Sequence, residues 1–380
     1  MLGRLWHICL LVAGLALGVL TCPCGADDGL LVFVSSFAKG EAGAIHAFRV
    51  DSDRGTMKLV HRTSDVENPF FLALSPNRKF LYSIHTPDFG DTVHDEIAAF
   101  RLEGDTGRMQ LINRQSALGT TSCYLDVDAS GRTLVVANYS SGSVASLPIG
   151  KDGSLGKAAS FVQHTGKSID PKRQLGPHAH CFVISPDNRF VLAADLGLDQ
   201  VLCYRLDSDA AKLSTPRHPF VRTPPGAGPR HLTFHPSGNM VYVVNELANS
   251  VTVFGYDRKR GQLTRRQTIS TLPTDFDGTS YCADIKVTPD GRLLFATNRG
   301  HDSIAAYHVQ ESGRLKLAGI VPSRGKGPQN LAITSDGRLL LCANMPGNTV
   351  VVFRIDVAGG GLRPIGDPIE LPSPSCIMIR

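Results

Sequence analysis

The sequence predicts an all-β fold: a seven-bladed β-propeller of four-stranded blades, closed by pairing of the C-terminal strand with the N-terminal blade. Three observations carry that expectation. The chain is heavily punctuated, with 38 Gly and 23 Pro in 380 residues, about one residue in six against the roughly 12% of average usage. A hairpin-like segment recurs six times at a spacing of about 50 residues. The two ends of the chain each supply half of a seventh copy. Charged residues are 19% and hydrophobic residues 42%, which excludes a disordered chain and a charged coiled coil. A β-sandwich or two separate β-domains would not explain the period.

Along the chain, the first 26 residues stand apart. Arg4 gives a short positive start, Ile8 to Leu20 is apolar, and Cys24-Gly25-Ala26 offers small residues at a peptidase site. This reads as a secretory signal peptide over residues 1–26, too short to span a bilayer as a helix. Thr21 precedes Cys22 where a lipid-attachment site wants Gly, Ala or Ser. The expected product is a propeller over 27–380, exported to the periplasm or beyond, with no transmembrane segment after signal removal.

The half-repeat Asp27-Asp-Gly-Leu-Leu-Val-Phe-Val-Ser36 comes next, as a turn and a second strand. Six full segments follow: Leu72-Ala-Leu-Ser-Pro-Asn-Arg, Leu125-Asp-Val-Asp-Ala-Ser-Gly, Phe182-Val-Ile-Ser-Pro-Asp-Asn, Leu232-Thr-Phe-His-Pro-Ser-Gly, Ile285-Lys-Val-Thr-Pro-Asp-Gly and Leu331-Ala-Ile-Thr-Ser-Asp-Gly, each running into a second apolar strand. The turn residues are hairpin chemistry. Pro76, Ala129, Pro186, Pro236, Pro289 and Ser335 share one slot, at intervals of 53, 57, 50, 53 and 46. Each segment is followed by two more strand-like runs, such as Ser250 to Tyr256 and Leu263 to Thr268, so one repeat is a blade. Cys376 to Arg380 is a first strand without its partner, and pairing it with the N-terminal half leaves no open edge.

The repeat register also locates chemistry. Seven residues beyond the turn glycine or its equivalent stand Ser36, His85, Asn138, Asp195, Asn245, Asn298 and Asn344, polar in every copy and therefore architectural. The next position holds Phe37, Thr86, Tyr139, Leu196, Glu246, Arg299 and Met345, which varies, and variation between repeats is where a specific site is built. Six residues before the Pro slot stand Phe70, Cys123, His180, Arg230, Ala283 and Gln329, with His178, His231 and Asp284 beside them. First strands line the axis of a propeller, so these residues are expected to ring one mouth of its channel. His180, Arg230, Glu246 and Arg299 are the catalytic candidates; His178, His231, Asp284 and Gln329 are the substrate-binding candidates. Imidazole and carboxylate can act as acid and base, and Arg can clamp a carboxylate or phosphate.

Other chemistries lack support. The formal charge is +5, or +4 once Arg4 leaves with the signal. The densest basic run, Arg258-Lys259-Arg260 with Arg265-Arg266 nearby, lacks the aromatic platforms of a nucleic-acid surface. No CxxC pair occurs among Cys123, Cys181, Cys203, Cys282, Cys342 and Cys376. Two further histidines, His85 and His94, bring too few carboxylates, so no metal site is expected. No serine-nucleophile elbow, Walker loop or dinucleotide fingerprint is present. The sequence does not specify an oligomeric state.

The segments Gly176-Pro-His-Ala-His-Cys-Phe, Asp195-Leu-Gly-Leu-Asp-Gln-Val, Gly228-Pro-Arg-His-Leu-Thr-Phe-His-Pro-Ser-Gly, Tyr242-Val-Val-Asn-Glu-Leu and Ala283-Asp-Ile-Lys-Val-Thr-Pro-Asp-Gly resemble the seven-bladed propeller lactonases, the family of bacterial 6-phosphogluconolactonase, which is similar to carboxymuconate cyclase. The resemblance spans about Leu30 to Arg380. It implies a lactone hydrolase without metal or organic cofactor, acting on a small lactone or sugar acid. The His, two Arg and Glu of the cyclase relatives match His180, Arg230, Arg299 and Glu246. The resemblance leaves Glu246 or His180 as general base. It also leaves a cycloisomerase or a non-catalytic ligand-binding propeller as alternatives. The signal peptide is the departure, because phosphorylated gluconolactone is a cytosolic intermediate.

Overall fold

The computed structural model describes residues 29–87 and 93–380. The signal-peptide expectation and the boundary at residue 27 lie outside the described residues. Seven antiparallel sheets follow one another in chain order. Their innermost strands are Pro374–Ile379, Pro69–Leu74, Ser122–Val127, Ala179–Ile184, Pro229–Phe234, Tyr281–Val287 and Pro328–Ile333, for blades I to VII. Each contacts the next and the seventh returns to the first, so the ring is closed. Blade I completes the closure as expected: Pro374–Ile379 pairs antiparallel with Leu30–Ser36, setting Val34 opposite Ile377. Six blades have four strands, and blade IV carries its outer edge as two short pieces, Lys212–Ser214 and Phe220–Arg222. Among the described residues, no helix is long and apolar enough to cross a membrane.

The second strands are the hydrophobic heart of the ring. Phe80–His85, Thr133–Asn138, Phe190–Asp195 and Leu339–Asn344 are buried along their whole length, because each sheet is covered on both faces by its neighbours. That is why these strands read as continuous apolar runs. Outer strands such as Gln262–Ser270 are largely exposed and carry polar residues. The six cysteines of the repeats are buried free thiols.

The recurring turn closes the same way in six blades. An N–H bonds the carbonyl three residues earlier at 2.8 Å, from Arg78, Gly131, Asn188, Gly238, Gly291 and Gly337. Each donor has a positive φ, between 56° and 76°, the region where a side chain is strained. The polar strand-end position is architectural as expected. Asn138 Nδ2 donates to the Ala117 carbonyl and to Ser143 Oγ, and Asn298 Nδ2 repeats this on Thr271 and Ser303. Asn344 does the same on Ser323 and Thr349.

Candidate active site at one mouth of the channel

The innermost strands share a defect. Their pairing with the second strand skips register between Pro69 and Leu72, Ser122 and Tyr124, Ala179 and Cys181, Pro229 and His231, Cys282 and Ile285, and Pro328 and Asn330. The skipped residues include Phe70, Cys123, His180, Arg230, Ala283 and Gln329, the slot identified from the repeat. A β-bulge leaves its extra residue unpaired and re-aims the side chain. Five of these six residues line one cavity of about 260 Å³, together with Thr121, Tyr139, Arg173, Glu246, Arg299 and Met345. The sixth contributes its backbone, since the Ala283 carbonyl accepts from Arg230 Nη1 at 2.6 Å.

Glu246 is the centre of the site. It follows the polar strand-end residue Asn245, and its backbone N–H bonds the Gly228 carbonyl at 2.7 Å. Its carboxylate receives three guanidinium groups: Arg173 Nη2 on Oε1 at 2.7 Å, and Arg230 Nε and Arg299 Nη2 on Oε2 at 2.9 and 2.8 Å. Burial alone would raise its pKa, but Arg299 and Arg230, with the hydrogen bond from Arg173, outweigh burial and hold it below the ordinary carboxylate value. Burial and Arg299 bring Arg230 down to about 10, so it stays charged at neutral pH. Three cations against one carboxylate leave the site with a net charge of +2.

His180 is buried. Its Nδ1 lies 3.5 Å from Cys123 Sγ, and its ring meets Tyr139 edge-on at 5.1 Å. Burial first, then Arg230, pushes its pKa well below that of a free imidazole, so the ring is neutral. The Cys123 thiol is pushed up by burial, which argues against a thiolate nucleophile. Gln329 Oε1 accepts from Arg299 Nη1 at 3.4 Å.

Three substrate-binding candidates are not in the lining. His178 lies behind Tyr139, its ring stacked on the tyrosine at 4.6 Å and its Nδ1 3.0 Å from the Tyr139 carbonyl oxygen. His231 and Asp284 are buried beneath Arg230, bonded to each other at 2.8 Å. Period-two alternation gives no warning of this, because the bulge puts Arg230 in the cavity and leaves its neighbour His231 behind it.

Arg173 was not among the candidates. It lies in the connection between Gln163 and Ala179, fifteen residues long against three to ten between other blades. That excess length was the available signal. The loop is held at many points. Asp170 Oδ1 accepts the backbone N–H of Lys172 and of Arg173 at 2.8 and 3.0 Å. Gln174 Nε2 donates to Leu196 and Asp199 at 2.8 Å. Asp195 binds both ends, through His164 Nδ1 at 2.6 Å and the His178 N–H at 2.8 Å. Arg173 therefore arrives preorganised, bridging Tyr139 Oη at 3.2 Å and Glu246. Its side chain is 34% exposed, against 3% for Arg230.

Comparison with known proteins agrees with this architecture. The family model described as "Lactonase, 7-bladed beta-propeller" matches residues 31–379. The chain is 33% identical over 346 residues to a 6-phosphogluconolactonase of Bacillus subtilis, covering 91% of this chain and 97% of that one. It is 33% identical to a 6-phosphogluconolactonase of Formosa agariphila, covering 90% and 96%. The solved structure of a periplasmic gluconolactonase of Pseudomonas aeruginosa superposes with a TM-score of 0.85 at 31% identity, covering 92% of this chain and 98% of that one.

Proposed function

The chain belongs to the seven-bladed β-propeller lactonase family, and on that premise we propose that it hydrolyses the lactone of a sugar acid. The observation that carries the reading is the cluster itself: three arginines on one carboxylate beside a neutral histidine, on a cavity of about 260 Å³. A water oxygen attacks the ring carbonyl while His180 takes its proton. The developing oxyanion is stabilised by the arginines, in particular Arg230, whose Nε and Nη1 are engaged by Glu246 and Ala283 and whose Nη2 makes no hydrogen bond among the described residues. The ring C–O bond then breaks. The leaving alkoxide recovers the proton from His180, giving the open hydroxy acid, whose carboxyl group then releases its proton to solvent. A histidine with a depressed pKa is a weak base, but its conjugate acid returns a proton readily.

This reading assigns the base to His180 rather than Glu246. Both Glu246 oxygens are occupied by guanidinium donors, and the group is held ionised below its ordinary range. Its role is to hold the arginines together. The surplus positive charge favours a substrate or product that carries an anion. The export expected from residues 1–26, with the periplasmic gluconolactonase as a structural neighbour, favours an unphosphorylated lactone.

The test is a panel of lactones with and without phosphate, measured against the uncatalysed blank, for wild type and Glu246→Gln. Wild type is expected to exceed the blank on at least one sugar lactone. Glu246→Gln is expected to lose about 10³-fold in kcat/KM, the upper end for loss of one preorganised electrostatic group. Absence of turnover by wild type on every lactone sinks the reading. Product NMR separates hydrolysis, which adds a water, from the cycloisomerisation that the sequence resemblance to carboxymuconate cyclase implies as the second reading.

A further inference from the structure

Behind the cavity lies a buried polar chain that the proposed chemistry does not use. Arg230 Nη1, besides its bond to Ala283, lies 3.3 Å from His231 Nε2. His231 Nδ1 is 2.8 Å from Asp284 Oδ1. Asp284 is fully buried, and its oxygens also accept from Lys286 Nζ, Asn330 Nδ2 and the backbone N–H groups of Ile285 and Leu331, all at 2.9 Å. So many donors keep Asp284 ionised; although burial opposes it, Lys286 and His231 hold its pKa well below the ordinary carboxylate value. A fixed carboxylate on Nδ1 sets the tautomer of His231: Nδ1 carries the proton, and Nε2 is left as an acceptor facing the guanidinium. Burial and the Arg230 charge bring the His231 pKa down to about 4, so the acceptor persists at neutral pH. The ring itself is wedged edge-on against Tyr124 at 5.1 Å, His180 at 5.4 Å and Phe71 at 6.2 Å.

We infer that the Asp284–His231 pair is a positioning device that fixes the rotation of the Arg230 guanidinium and so presents Nη2 to the substrate oxyanion. Glu246 holds Nε from one side, while Ala283 and His231 hold Nη1 from the other. With both held, the plane of the group cannot turn about Cζ–Nε, and one nitrogen is left for an incoming oxygen. A bonded pair of this kind buried directly under a reacting group orients it, as outer-shell partners orient a metal-ligating histidine. The kinetic consequence rests on the lactonase reading; the orientation itself does not.

The experiment therefore has two arms. In the first, protein labelled with ¹⁵N-arginine reports rotation about the Cζ–Nε bond of Arg230, its signals identified by their loss in Arg230→Lys. Separate, slowly interchanging Nη1 and Nη2 signals are expected in wild type. In His231→Asn, which can reach Asp284 but not Arg230, the interchange is expected to be at least tenfold faster. His231→Gln, whose longer amide can accept from Arg230, is expected to restore part of the hindrance. His231→Leu keeps the volume without either nitrogen and takes the place of His231→Asn if that variant does not fold. In the second arm, His231→Asn is expected to lose roughly 10- to 100-fold in kcat with KM within about threefold, the pattern of a misplaced transition-state contact. Equal hindrance in wild type and His231→Asn overturns the inference, as does a lower melting point with unchanged kcat. If wild type hydrolyses no lactone, the functional reading falls and the first arm alone decides the positioning role.

Discussion

Asn298 and Arg299 are neighbours in the chain and end the same strand, Leu293–Arg299, yet they belong to two different rings of the molecule. Asn298 is one of seven strand-end polar residues, and it spends its amide on Thr271 and Ser303. Arg299 is one of seven residues a single step further on, and it spends its guanidinium on Glu246, Cys282 and Gln329. The first ring repeats because every blade has the same backbone groups to satisfy at the same bend. The second ring varies because no backbone group common to every blade depends on its side chain: Leu196 packs in the core, Thr86 bonds Asp95, and others face the cavity. Tyr139, Glu246, Arg299 and Met345 of that second ring all line the cavity. A symmetric fold thus acquires an asymmetric site by keeping one position and releasing the next.

Exchanging the two neighbours in turn is the most direct way to break this comparison. Arg299→Ala removes a donor next to the reacting centre, and a loss of about 10²- to 10³-fold in kcat/KM is expected. Its melting point should stay close to wild type, because Glu246 keeps Arg173 and Arg230 and the side chain is already 27% exposed. Asn298→Ala should do the reverse. It strands the buried Thr271 carbonyl, although Ser303 Oγ keeps His301 Nδ1 at 2.6 Å, at a cost of about 2 kcal/mol in urea unfolding, while kcat/KM of the folded protein stays within about twofold. If both variants lose activity and stability alike, the two rings are one and the distinction fails.

Acid sharpens the contrast next, because the architectural ring and the cavity each hold a histidine. His85 fills the architectural position in blade II, with Nδ1 2.8 Å from the Glu67 carbonyl oxygen. Burial, aided by Arg114 and opposed by that hydrogen bond, brings its pKa down to about 4. The unfolded chain takes up this proton near pH 6.5 and the folded chain only near pH 4, so the unfolded state binds more protons in between. Stability is therefore lost as pH falls from about 6.5 to about 4, by about 3 kcal/mol from this group. His85→Asn restores the residue found in blades III, V, VI and VII, and its melting point should fall less steeply over that window than that of wild type. His46, also brought to about 4 chiefly by burial, titrates in both proteins and cancels in the comparison. His180 instead should appear in the rate: its depressed pKa places the acid limb of kcat/KM below pH 6.5. A parallel decline of melting point in both proteins removes His85 from the account.

Much of this was legible because a repeated fold supplies its own internal comparison. Six turn motifs fixed the blade count and register, and the split copy at Leu30–Ser36 and Pro374–Ile379 fixed the closure. The same register isolated His180, Arg230, Glu246, Arg299 and Gln329, which meet on one cavity. Three things escaped for physical reasons. Arg173 comes from a connection outside the repeat, so no slot exists in which to find it. His231 and Asp284 sit beside slot residues, and only the bulges decide which of two adjacent side chains faces the cavity; a bulge is a backbone event without a residue signature here. His178 lies behind Tyr139 for a related reason: it precedes strand Ala179–Ile184 and stacks on the ring that does the lining.

The turns offer the smallest test of the same idea, that a repeated position is set by backbone geometry and not by function. Gly337 and Arg78 occupy equivalent places, with φ of 71° and 56°. A Cβ on Gly337 would meet only Pro289 Cδ at 3.5 Å, so Gly337→Ala measures the conformational penalty almost alone, about 1 kcal/mol. Arg78 already bears that penalty. Arg78→Gly relieves it, while the greater freedom of glycine in the unfolded chain takes back about 0.4–1 kcal/mol. The net expectation is a gain of no more than about 1 kcal/mol, seen as a small rise in the urea midpoint at unchanged slope. Arg78 also lines a second cavity of about 420 Å³ at the turn end of the channel, across the His231–Asp284 layer from the arginine cluster. Loss of stability in Arg78→Gly would mean that the side chain makes contacts there worth more than the strain, and that this one turn position is not purely architectural.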